Sequence, residues 1–183
     1  MALKLDLAQA SDNDFQGMAQ AIFEQLGRLD GILHNAARFD GLSPLEYQSL
    51  ELWLGTLRVN LAAPVALTRA CLPLLTRGPD SAVLLTSETH GHQPAAFWGA
   101  FAVSKWGLEA LVTIWAQELA VHPNLRMNVV IPGPVRAPQR LISHPAESRT
   151  QLPEPERLMP LYLYLMGPDS REHSGEIFEA QMS

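Results

Sequence analysis

Two strand-length, largely apolar runs, Ala82-Val83-Leu84-Leu85 and Met127-Asn128-Val129-Val130-Ile131, restrict the folds open to this chain more than any other feature. A strand that is apolar on both faces has to be covered on both faces, and that is the situation of a parallel sheet held between helices. Segments with helical spacing separate these runs. Phe15, Met18, Ala19, Ile22, Phe23 and Leu26 recur at helical intervals after Ser11 or Asp12, either of which could cap the segment. Leu54, Leu57, Leu61, Val65 and Thr68 do the same within a mostly helical stretch from Ser43 to Arg77, where Pro64 is a candidate kink. Another long helix is expected from Phe97 to Val121. Leu3 to Leu7, Leu29 to Leu33 and Ile177 to Ala180 supply three more strand candidates. Strands alternating with helices of this length predict an α/β fold with a largely parallel sheet.

The chain has 183 residues, enough for one well-buried domain and short for two. A hydrophobic content of 47% against 17% charged residues excludes a disordered chain, which could not bury enough surface. Thirteen basic and 19 acidic residues give a net charge of −6, without the basic footprint that attracts nucleic acid or anionic lipid. Cys71 is the single cysteine and sits in the apolar run Leu67 to Leu75. It excludes an intrachain disulfide framework and reads as a buried thiol in a reducing, cytoplasmic setting. No apolar stretch reaches membrane-spanning length, and no basic-then-apolar leader opens the chain. Neither nucleic acid nor membrane is expected as a partner.

Four short motifs, in order, resemble the short-chain dehydrogenase/reductase family. His34-Asn35-Ala36-Ala37 is similar to the Asn-Asn-Ala-Gly that follows a strand in that family. Asn60, within Arg58-Val59-Asn60-Leu61, matches its active-site asparagine on a long helix. Phe101-Ala102-Val103-Ser104-Lys105 matches its Tyr-x-x-x-Lys segment, and Pro132-Gly133 matches the turn after its sixth strand. Met159 to Gly167 also resembles a subgroup of bacterial members. The resemblance covers nearly the whole chain. It implies one Rossmann-like domain over residues 1–183, three-layered, with about five strands and helices on both faces. It also implies catalytic positions at Asn60, Lys105, Glu88 and Phe101, and vestigial cofactor contacts from Asp6, Asn35, Ala36, Lys105, Pro132 and Gly133.

The departures from the family pattern are as informative as the matches. The glycine-rich turn that receives the cofactor pyrophosphate has no counterpart, and the chain begins where the third strand would stand. Such a turn lets backbone N–H groups and a helix N-terminus approach phosphate. Gly27, Gly31 and Gly41 follow no strand-turn-helix pattern of that kind. Phe101 stands in place of the proton-exchanging tyrosine, Glu88 in place of the serine that polarises substrate, and Ala137 in place of a threonine. General acid–base help is worth about 10²–10⁴ in rate, so loss of the tyrosine alone nearly silences that chemistry. Two functions follow. One is a degenerate oxidoreductase acting as a binding or assembly module, with no cofactor of its own. The other is an NAD(P)-dependent oxidoreductase whose N-terminal part is missing from this chain or supplied by another.

Several residues keep two readings. Lys105 is either a ribose ligand or the partner of Glu88, and Asn60 is either catalytic or a structural polar group within its helix. Glu88, His90 and His92 alternate, so an extended backbone would turn all three to one side. No fourth ligand accompanies them, and no metal is expected. Trp98, Trp106 and Trp115 read as packing or interface residues. The resemblance implies a homo-oligomer through helices 43–77 and 97–121. Finally, the family's third strand reaches its fourth only through the first and second. Leu3 to Leu7 is therefore expected to move beside Leu29 to Leu33, making a five-stranded sheet.

Overall fold

A computed structural model describes residues 2–181. Its centre is a sheet of four parallel strands in the order β1 (Gly31–His34), β2 (Ser81–Thr86), β3 (Leu125–Ile131) and β4 (Ile177–Glu179). In register, Ile32 lies opposite Val83, Leu85 opposite Val129, and Val130 opposite Phe178. Every residue of β2 and β3 is buried, as their apolar composition requires.

Alternation along β2 and β3 divides the core into two layers. Val83, Leu85, Met127 and Val129 point to one face and pack with Ala19, Cys71, Leu75, Leu108 and Val112. These come from α1 (Asp12–Leu26), α3 (Ala63–Leu75) and α5 (Gly99–Glu118). Leu84 and Val130 point to the other face and meet Leu158, Tyr162 and Leu165, the last two on α7 (Met159–Met166). Cys71 is fully buried, and burial pushes its thiol up to about 11. Among the described residues no helix is long and apolar enough to cross a membrane.

The expected strand at Leu3 to Leu7 does not form, and the sheet has four strands rather than five. Alternating side chains are necessary for a strand, but a partner edge is what makes one. Here the chain turns directly after Asp6, whose carbonyl accepts from Gln9 N–H at 3.1 Å and Ala10 N–H at 2.8 Å. The Arg58 guanidinium then holds the Gln9 and Ala10 carbonyls, at 3.2 and 3.0 Å. These bonds tie residues 9–10 to the helical layer, and Leu3 to Leu7 makes no ladder with β1.

The long helical stretch is also interrupted. A turn at Leu45–Tyr47 precedes α2 (Leu50–Leu57), and a π-helical turn at Arg58–Ala62 joins α2 to α3. Pro64 follows that turn within one continuous helical run and lacks the N–H that would bond back into it, so the irregularity at Arg58–Ala62 falls where a proline removes a helical hydrogen bond.

Candidate active site

The C-terminal ends of the parallel strands open into a cleft of about 370 Å³. Its walls are mainly apolar, including Leu33, Val135, Ala137, Leu158 and Met159. Asn35, Glu88, Phe101, Lys105, Pro132 and Gly133 all line it, so the structure gathers most of the residues expected there. A cleft at the carboxyl ends of a parallel sheet is where such folds bind ligands.

Lys105 and Phe101 come from the first turns of α5. The Lys105 side chain is buried, and its Nζ donates to the Thr86 carbonyl at 2.7 Å. It is not the close partner of Glu88 that one sequence reading proposed. Burial lowers the ammonium to about 8, and the charge of Glu88 acts in the opposite direction. Nζ lies 5.7 Å from the centre of the Phe101 ring. A Cβ on Gly91 would stand 2.5 Å from Lys105 Cβ, so the short helix α4 (Thr89–His92) rests directly on the lysine stem.

Phe101 is buried in an aromatic cluster. Its ring meets Phe39 edge-on at 4.9 Å and Trp98 at 5.9 Å. Trp98 also lies tilted against His90 at 4.2 Å, and His90 stacks on His144 at 6.2 Å. Burial, and secondarily the Arg140 charge, lower the His144 imidazole from its usual range.

Glu88, His90 and His92 do not share one side as an extended loop would have it, because the backbone there is helical. Glu88 caps that turn, its carboxylate accepting from His90 N–H at 2.5 Å. His92 turns instead to Glu109 on α5, with Nδ1 and Oε2 2.8 Å apart. Ser87 Oγ donates to the other Glu109 oxygen at 2.7 Å. Among the described residues no group of three His, Cys, Asp or Glu side chains is placed to hold a metal.

Asn60 is committed to structure. Its Oδ1 accepts from Arg38 N–H at 2.7 Å, and its Nδ2 donates to the Arg38 carbonyl and to Ser104 Oγ, both at 3.0 Å. Asp6 and Ala36 do not line the cleft. Asp6 instead caps its own turn, accepting from Ala8 N–H at 2.9 Å, while Ala36 is exposed on the loop after β1.

Sequence reasoning missed Glu109, Tyr162 and Arg140. Tyr162 lines the cleft with its hydroxyl 3.4 Å from Thr86 Oγ1, and burial raises that phenol. One signal for Glu109 was present: it lies one helical turn beyond Lys105, on the buried face of a largely apolar helix.

The nicotinamide dinucleotide implied by the resemblance can be tested against these donors. Asn35, Lys105, Pro132 and Gly133 share the cleft and suit one end of such a molecule. Its phosphates are not provided for. Arg140 is held bidentate by Glu147 at 2.6 and 2.7 Å, and Lys105 is bonded to Thr86. The two short helices that begin at the cleft open with the Glu88 carboxylate and with Pro138, which has no N–H. The two basic residues that line this cleft are therefore both engaged, and it offers the phosphate half of the cofactor no free cation among the described residues.

Comparison with known proteins agrees with the fold. Residues 2–179 match the family model described as enoyl-(acyl carrier protein) reductase. The uncharacterized oxidoreductase YciK of Escherichia coli (strain K12) is 38% identical over 177 residues, 97% of this chain and 69% of that protein. The short-chain dehydrogenase/reductase FrzI of a Cladobotryum species is 34% identical over 135 residues, which make up 72% of this chain and 51% of FrzI. A short chain dehydrogenase from Salmonella enterica serovar Typhi CT18 superimposes with a TM-score of 0.95 at 37% identity, covering 98% of this chain and 74% of the other. One from Escherichia coli CFT073, solved in complex with NADPH, gives 0.93 at 39% identity, covering 97% and 73%.

Proposed function

The chain belongs to the short-chain dehydrogenase/reductase family, and from that premise we propose that it keeps the family's cleft as a small-molecule binding site without efficient hydride transfer. The observation that carries this reading is Phe101. Its ring stands beside Lys105 where the family chemistry needs a hydroxyl, and a phenyl ring has no proton to exchange. Glu88 adds a negative charge at the position of the substrate-polarising serine. Asn60 is occupied by Arg38 and Ser104. The rest of the wall is largely apolar, and a cleft of this size suits a small organic ligand.

The second reading is an NAD(P)-dependent oxidoreductase whose glycine-rich cofactor-binding part lies outside this chain. It is favoured by the likeness to the NADPH-bound Escherichia coli CFT073 structure, of which the chain covers 73%. Micromolar binding of NADH or NADPH by the 183-residue chain in calorimetry sinks the first reading. Absence of binding is expected of both, and an in-frame Thr-Gly-x-x-x-Gly-x-Gly turn encoded upstream of Met1 favours the second. Carbonyl reduction should be undetectable over a small aldehyde and ketone panel. Phe101→Tyr with Glu88→Ser should gain more than either change alone, because groups acting as a unit are not additive.

Self-association belongs to the same proposal. Val103, Trp106 and Ile114 form an exposed apolar stripe on α5, and Leu50 and Leu54 are exposed on α2. Pairing of copies through these helices would cover them.

A further inference from the structure

Lys105 combines three properties that seldom coincide on one lysine. It is buried, it lines an apolar cleft of ligand size, and it makes no ion pair within 4 Å among the described residues. Its one hydrogen bond is to a neutral carbonyl, Thr86 O. Phe101, one turn back on its own helix, offers a ring face and no hydroxyl to occupy the nitrogen. Glu88 lines the same cleft, and its charge opposes the effect of burial on the amine. A desolvated amine in a largely apolar pocket is the arrangement by which a lysine adds to a carbonyl group.

We propose that the cleft captures small, mainly apolar aldehydes as imines on Lys105 Nζ. Nζ first gives a proton to solvent water, and its lone pair forms the C–N bond as the carbonyl π pair moves to oxygen. Water returns that proton to the oxygen. It then carries a second proton from nitrogen to the same oxygen, which leaves as water while the nitrogen lone pair closes the C=N bond. One water is released, nothing is oxidised or reduced, and addition of water reverses the reaction. Burial favours the first step, since it brings the amine down to about 8. An exposed lysine keeps only on the order of 1% of its amine neutral at pH 8. The aldehyde's apolar body would lie against Leu33, Val135, Leu158 and Met159.

The chain contains two lysines, the exposed Lys4 and the buried Lys105, so each molecule carries its own control. The intact protein is incubated with benzaldehyde and sodium cyanoborohydride at pH 8, and modified amines are located by peptide mass mapping. Lys105 should be benzylated about tenfold faster than Lys4. Glu88→Gln should speed Lys105 by at most about twofold, because the carboxylate's charge favours the protonated amine, and leave Lys4 unchanged. Labelling of Lys105 no faster than Lys4 overturns the proposal. The inference rests on the cleft being a small-molecule site, and benzyl alcohol, which cannot form an imine, tests that separately by calorimetry. Alcohol binding without labelling of Lys105 removes imine formation and leaves the binding site. Neither binding nor labelling removes both.

Discussion

Asn60 grips the backbone of Arg38 at both ends, accepting from its N–H at 2.7 Å and donating to its carbonyl at 3.0 Å. The π-helical turn at Arg58–Ala62 contains this asparagine, and the grip fixes the loop that leaves β1 toward the cleft. Asn60→Ala should cost about 2–4 kcal/mol in urea unfolding, since it strands buried polar partners. Hydrogen exchange gives the sharper reading. The Arg38 amide should lose more protection than the β2 amides, and equal loss at both sites would show that the contact does not hold the loop.

Lys105 makes stability depend on alkaline pH. Its pKa is about 8 in the folded chain against 10.5 for the free side chain, so the unfolded state binds more protons between those values. Stability from this group therefore rises from pH 8 to 10.5, and below pH 8 the buried charge is a standing cost. Lys105→Met should gain up to about 3 kcal/mol at pH 7, with the gain gone by about pH 10.5. Cys71 and Tyr162, whose acid groups burial raises, add their own alkaline pH dependence but are common to both proteins, so the difference between two urea series isolates the lysine. A gain that does not vary with pH would refute this.

His34 acts at the acid end. Burial lowers its imidazole to about 4, and its Nε2 lies 2.8 Å from Thr68 Oγ1. The neutral ring is the one the fold accommodates. Its contribution is complete above pH 6.5 and is lost as pH falls through 4. His34→Gln should flatten the stability profile between pH 6.5 and 4. An unchanged slope in that interval would contradict the assignment.

Trp106 is 56% exposed at the middle of the α5 stripe, between Val103 and Ile114. Light scattering at tens of micromolar protein should give the mass of a dimer or larger assembly. Trp106→Glu should return a monomer, because a carboxylate would have to be desolvated at the contact. A wild-type monomer at those concentrations would refute the association.

How much of this the sequence disclosed depends on the range of the forces involved. β2 and β3 were readable because two-sided burial writes an apolar run into the residues themselves. Leu3 to Leu7 misled because alternation is local whereas strand pairing is not, and Arg58, far along the chain, decides where that segment lies. Within the site, Phe101 and Lys105 were legible through their resemblance to the family's Tyr-x-x-x-Lys segment. Glu109 did not, since a helical carboxylate ordinarily reads as solvated. Its partners, Ser87 and His92, become neighbours only when α4 folds onto α5. The same folding sets Lys105 on the Thr86 carbonyl and not on Glu88, a choice that spacing cannot express.

The seat of α4 on α5 has an evolutionary consequence. Because the obstruction at Gly91 is the Cβ of residue 105, substituting the lysine by any other residue with a Cβ would leave it in place. Relieving it would require glycine at 105, at a cost to the helix of about 1 kcal/mol relative to alanine. Lineages descended from this chain should therefore be free to discard the amine while position 91 stays glycine. Persistence of that glycine would record the packing of two helices and carry no testimony about chemistry.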